Sequence, residues 1–342
     1  MYATGGLGGL VVGGTVVLAG IMYGEVKLAE RRIPLAKDQP PVSNDTIWAA
    51  AGVSRNRVPI RLAVLGDSTA AGYGVFRDRD TPAAQLAIGI SEAARRPVHV
   101  RNYAVVGAET PDLLPQLTKV HGTRPELAII MIGANDVTEG TKPAVAVPFL
   151  EDVVRALVHL GAEVVVGTCP DLGAIQPLPQ PLRAYARRLS RKMAKEQTIA
   201  VVRAGGRTVS LGDLLGPTFL NNMEMFSADR FHPSAAGYAE AAAAILPSCL
   251  DVLGLRTHVR SASPFTTRRA KPVAKAAAQA VSRPGTEVEG TARFGRTEGR
   301  RGQFARLRRR LPRRHLLHRT RRGPRAAESA VAVPDSTTAT PS

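Results

Sequence analysis

From Arg61 to about Leu255, short apolar runs alternate with helical patterns at near-even spacing, and this alternation narrows the fold more than any other feature of the chain. Residues 61–65, 98–105, 127–132, 163–167 and 199–202 read as strands, mostly buried on both faces because they are mainly apolar. Helices are expected over 82–95, 111–119, 143–160, 181–196 and 234–253. Thr81-Pro82, Thr110-Pro111 and Lys142-Pro143 mark three starts, since proline in a first helical turn forfeits no intrahelical bond. Strand–helix alternation of this kind implies an α/β domain with a parallel sheet covered by helices on both faces. In such sheets ligands bind beyond the carboxyl ends of the strands. The residues leaving each strand are therefore the ones to read for chemistry.

The flanks are different. Residues 1–24 carry no charged side chain, and a helix of that length would reach about 36 Å, enough to cross a hydrocarbon core. Gly5, Gly9 and Gly13 fall at the four-residue spacing that lets membrane helices approach closely. No Lys or Arg precedes the run and no A-x-A site follows it, so an uncleaved single-pass membrane anchor is expected rather than a signal peptide. Lys27, Arg31, Arg32 and Lys37 after the run favour a cytoplasmic location for the region that follows, although the side of the membrane stays open. Residues 25–57 read as a linker, 58–256 as the folded domain and 257–342 as a disordered tail.

Charge placement decides what the basic character means. Of 46 Lys and Arg and 28 Asp and Glu, the stretch from Ser261 holds 19 and 5, so the remainder is nearly balanced at 27 and 23. The tail, rich in Ala, Pro and Arg, offers a surface for anionic lipid; Phe304, Leu307 and Leu311 would share one helical face among arginines. With only Phe265, Phe294 and Phe304 as aromatics it is poor in stacking groups, and nucleic acid is not an expected partner. Two cysteines, Cys169 and Cys249, exclude a disulfide scaffold and read as buried thiols, with a single bridge left open.

Four strand exits carry candidate chemistry. Gly66-Asp67-Ser68 follows the first strand and presents a hydroxyl at the edge of the sheet. Gly107 sits where the second strand's chain leaves the sheet, with its N–H available to the same crevice. Asn135, after Ile132-Gly133-Ala134, has an amide that can donate toward a developing oxyanion. Asp229-Arg230-Phe231-His232-Pro233 precedes the last helix, and its three-residue spacing lets the carboxylate fix one imidazole nitrogen while the other faces the crevice. Asp67 and Asp136 adjoin these groups but are expected to bond loop backbone, and Asp171, after the fourth strand, is read either as lining the crevice or as capping a turn. Met223, Met225, Phe226 and residues 170–179 are apolar and flank the crevice, as an acyl pocket or as packing.

Serine, glycine, asparagine, then Asp-x-x-His, in that order at successive strand ends, resembles the SGNH hydrolases, the GDSL-type esterase and lipase superfamily. The resemblance spans about Arg61 to Leu255. It implies a three-layer α/β/α sandwich with a five-stranded parallel sheet, flavodoxin-like in arrangement, needing no metal or organic cofactor. It assigns Ser68 as nucleophile, His232 as general base and Asp229 as its orienting acid. The N–H groups of Ser68 and Gly107 and the side chain of Asn135 become the oxyanion hole. Thr69 stands where the family's older motif has leucine, which bears on loop packing. The serine is not at a G-x-S-x-G elbow, since Ala70 occupies the second glycine position. The implied activity is hydrolysis of carboxylic esters, of short-chain, lipid or acylated-glycan type. Acyl transfer or deacetylation of cell-envelope lipid or sugar is the enzymatic alternative, and a membrane-associated scaffold acting through the tail is the non-enzymatic one.

Overall fold

The computed structural model describes residues 25, 40–41, 44–175, 178–212, 223–255, 270–283, 285–291 and 303–309. All of these belong to one compact unit, 1–312; the second, 313–342, lies outside them. The centre is a parallel sheet made by β2 (Ile60–Gly66), β3 (Val98–Asn102), β4 (Leu127–Met131), β5 (Glu163–Gly167) and β6 (Arg207–Val209), in the order β3-β2-β4-β5-β6. Because side chains alternate along a strand, each strand feeds two cores. Leu62, Val64, Ile129 and Met131 pack under α2 (Pro82–Ala94) and α7 (Ala235–Val252). Ala63, Leu65, Ile130 and Val166 pack under α3 (Leu113–Val120) and α5 (Pro143–His159). The result is the three-layer α/β/α arrangement. Thr81 caps α2 by accepting from Ala84 N at 3.2 Å, and Ser234 caps α7 by accepting from Gly237 N at 3.3 Å.

Several expectations are corrected. Residues 199–202 are not the fifth strand: they end α6 (Leu182–Arg203), and β6 follows a turn through Gly205, at φ +96°. Four apolar residues cannot separate helix from strand by periodicity. Here Val201 faces the main core while Ile199 and Val202 face a second cluster, as a helix distributes them. The second strand ends at Asn102 rather than Val105. The linker contains β1 (Asp45–Trp48), which pairs antiparallel with β3.

The sheet has nine described strands, not five. Within the stretch expected to be disordered, β7 (Lys271–Pro272), α8 (Val273–Val281), β8 (Thr286–Thr291) and β9 (Phe304–Arg309) form an antiparallel extension on β6. Leu307 lies in a strand and packs inward with Val273, Ala276, Ala280 and Val288, so the expected helical face does not form; Leu311 is outside the described residues. The charges are absorbed locally: Arg207 meets Glu287 at 2.9 Å and Glu289 at 3.0 Å, and Arg308 meets Asp251 at 3.2 Å.

The membrane anchor expected over residues 1–24, and with it single-pass attachment to a cell membrane, is not upheld. Among the described residues no helix is long and apolar enough to cross a membrane, and residues 1–24 themselves lie outside those described. The tail stretches 256–269, 292–302 and 310–342 also lie outside them. Cys169 and Cys249 are both buried and free.

Candidate active site

The site begins with a glycine that nothing else can replace. Gly66 closes β2 at φ +138°, and a Cβ there would overlap the carbonyl oxygen of Met131 on the neighbouring strand. Its backbone is held on both sides by the buried Gln116, which accepts from Gly66 N at 2.8 Å and donates to Gly66 O at 2.9 Å. The chain then turns at Asp67, whose N–H donates to Met131 O at 3.1 Å and whose carboxylate accepts from Thr69 N at 2.8 Å. That cap starts the single-turn helix α1 (Ser68–Ala71), with Ser68 as its first residue.

Ser68 Oγ lies 2.9 Å from His232 Nε2, and His232 Nδ1 lies 2.7 Å from Asp229 Oδ2. An ionised carboxylate only accepts, so Nδ1 carries the proton and Nε2 is left to accept from the Ser68 hydroxyl. Asp229 stays ionised. Burial alone would push its carboxyl up, but bonds from His232, from the Ser227 hydroxyl and from the backbone N–H groups of Phe231 and His232 outweigh it and hold the group well below the usual carboxylate range. The imidazole is itself packed between rings, with Tyr73 at a centroid distance of 4.5 Å and Phe231 edge-on at 4.9 Å.

Gly107 lies in the loop after β3, exposed and at φ +83°. Open space surrounds the position a Cβ would take, so the positive φ is what favours glycine there. Asn135 is in the short helix α4 (Ala134–Thr138) after β4, and its Nδ2 donates to Ala108 O at 2.8 Å. The two candidate oxyanion donors are thereby tied to one another across adjacent loops. Below them Gln197 donates to Ile132 O at 3.0 Å and accepts from Cys169 N at 2.8 Å, bracing the ends of β4 and β5.

Asp67 and Asp136 bond backbone, as expected, and of its two readings Asp171 takes that of a turn cap. Asp136 accepts from Thr110 N at 3.1 Å and from Thr110 Oγ1 at 2.8 Å. Asp171 accepts from Gly173 N at 2.9 Å and pairs with Arg187 at 3.3 Å and Arg191 at 3.2 Å. Burial raises the Asp136 carboxyl, against the Thr110 bonds. Of the apolar flank, Leu172, Ile175 and Phe226 are core residues, and Met223 is exposed; Gln176 and Pro177 lie outside the described residues. Among the described residues no group of His, Cys, Asp and Glu is placed to hold a metal ion.

Sequence reasoning did not find Gln116, Gln197, Tyr73 or Ser227. Gln116 left a trace: on a helix whose Leu113, Leu117 and Val120 face the core, a buried glutamine at that face must have partners.

Residues 64–240 match the GDSL-like lipase/acylhydrolase family. The GDSL-like esterase Rv1075c of Mycobacterium tuberculosis is 40% identical over 256 residues, covering 72% of this chain and 82% of that protein. The chain belongs to this family. This GDSL-type chain is thus a serine carboxylic ester hydrolase, despite Thr69 at the motif's leucine position. Solved structures similar to it include TesA, at 22% identity and a TM-score of 0.44 over 57% of this chain and 99% of that one. Another is a catalytic mutant of Axe2, an acetylxylan esterase from Geobacillus stearothermophilus, at 16% identity and 0.44 over 59% and 98%.

Proposed function

We propose that this GDSL-type esterase cleaves small carboxylic esters through Ser68, His232 and Asp229, with the Ser68 and Gly107 N–H groups and the Asn135 amide as the oxyanion hole. The observation that carries the reading is the unbroken row from Ser68 Oγ to His232 Nε2 at 2.9 Å and from Nδ1 to Asp229 Oδ2 at 2.7 Å. Ser68 Oγ attacks the ester carbonyl as its proton passes to Nε2. The imidazolium that forms is stabilised by the ionised Asp229, and the three donors receive the charge on the carbonyl oxygen. Nε2 then returns the proton to the departing alkoxide. Water, deprotonated by the same nitrogen, attacks the acyl carbon; the bond from that carbon to Ser68 Oγ breaks, Nε2 returns its proton to Oγ, and the acid is released. Transfer to an alcohol would share every step up to the acyl-serine and differ only in the final acceptor.

The test is hydrolysis of p-nitrophenyl acetate by purified Ser68→Ala, with fluorophosphonate labelling of the wild type. Activity is expected to fall to the uncatalysed background, and the label is expected on Ser68. Turnover retained by the variant would overturn the assignment.

A further inference from the structure

The Asp229–His232 loop is closed by a residue that the row itself does not include. Ser227 uses all of its polar atoms on that loop. Its N–H donates to His232 O at 2.8 Å and its carbonyl accepts from Arg230 N at 3.0 Å. Its hydroxyl donates to Asp229 Oδ1 at 2.6 Å, within the range of a charge-assisted O–H···O⁻ bond. Oδ1 also accepts from Phe231 N at 2.8 Å and from His232 N at 2.9 Å. Three donors on one oxygen fix the rotation of the carboxylate and leave Oδ2 aimed at Nδ1. Two of those donors are backbone groups that survive any side-chain change; the third is a side chain.

The position is also shaped for a small residue. Gly74, at φ +97°, passes so close that a Cβ on it would lie 3.0 Å from Ser227 Cβ, Ser227 Oγ and Pro233 O. The loop after α1 therefore packs on Ser227 from the side of the serine. Arg230, between the acid and the base, is held at φ +57°, a conformation uncommon for a side chain of its size. The bonds from Arg230 N to Ser227 O and from Phe231 N to Asp229 Oδ1 flank that residue and hold the turn.

We infer that Ser227 is a positioning residue whose hydroxyl locks the Asp229 carboxylate in the orientation His232 needs to accept the Ser68 proton. The inference rests on the proposed roles of Ser68, His232 and Asp229. It separates from a turn-closing role, because the turn is made by the N–H and C=O of Ser227, which an alanine keeps.

The experiment is steady-state hydrolysis of p-nitrophenyl acetate by Ser227→Ala and Ser227→Cys, each alone and in an Asp229→Ala background, with Ser68→Ala as control. Cysteine keeps a side chain beside Gly74 while donating weakly, so it tests the hydroxyl if alanine disturbs the packing. In the parent background kcat is expected to fall roughly ten- to a hundredfold, with KM changed by less than about twofold. In the Asp229→Ala background neither substitution is expected to cost anything further, since the partner it acts through is gone. A folded Ser227→Ala or Ser227→Cys single variant turning over within about twofold of the wild type overturns the inference, as does an equal loss in both backgrounds. Either result with an inactive Ser68→Ala leaves the esterase reading standing, whereas an active Ser68→Ala removes that reading itself.

Discussion

Asp67, directly ahead of Ser68, is 2% exposed, and the charge it carries at neutral pH has a measurable effect. Burial pushes its carboxyl from 3.8 up to about 6, against the bonds from Thr69 and the attraction of His232, with the Asp136 charge adding to the rise. The folded-state value thus lies above the unfolded one. Between about pH 4 and pH 6 the folded protein holds a proton that the unfolded chain has already released. Stability therefore falls as pH rises through that window, and above it the folded state carries a desolvated charge. A displacement of about two pH units corresponds to about 3 kcal/mol.

Asp67→Asn removes this charge and keeps an oxygen to accept from Thr69 N, so the cap on α1 survives. Urea unfolding of the wild type and the variant is to be compared at about pH 4 and about pH 7.5. The variant is expected to gain up to about 3 kcal/mol at the higher pH and almost nothing at the lower. A gain that is equal at the two pH values, or absent from both, would refute the reasoning. Turnover should move the other way. In the proposed mechanism the negative charge at Asp67 attracts the imidazolium that His232 becomes, and a neutral residue does not. A more stable and slower enzyme is the expected combination, in line with a site kept costly for function.

Asn135→Ala removes the proposed oxyanion donor and the bond to Ala108 O together. Turnover of p-nitrophenyl acetate is expected to drop about a hundred- to a thousandfold, and a rate within tenfold of the wild type would exclude the amide from the hole. Arg207→Ala removes the cation 2.9 Å from Glu287, which is 1% exposed. Urea unfolding at neutral pH should show a loss of about 3–5 kcal/mol. The loss should shrink as pH falls, because burial already raises the Glu287 carboxyl against the pull of Arg207, and a protonated acid no longer needs the cation. A loss that does not vary with pH would show that the charge is not its source.

The two ends of the folded region differ in how plainly they can be read, and the difference is physical. β2 and β4 are apolar on both faces because they lie at the centre of the sheet, so their runs stand out and the residues at their exits, Ser68 and Asn135, stand out with them. His232 and Asp229 are legible because a three-residue spacing is enough to join them. Ser227 is not, because its bond to Asp229 comes from a turn whose geometry depends on Arg230 at a positive φ, which no local pattern announces. The extension is harder for a related reason. β8 and β9 bury Val288, Ala305 and Leu307 on one side, while on the other Glu287, Glu289 and Arg308 meet Arg207 and Asp251 from distant parts of the chain. An alternating strand whose polar face is charged reads like solvated sequence when those partners are unknown, and basic composition then points toward disorder. The same ion pairs that obscured the extension attach it to β6 and α7. Since α7 begins two residues after Pro233, the far strands are joined through Asp251 to the helix that follows His232.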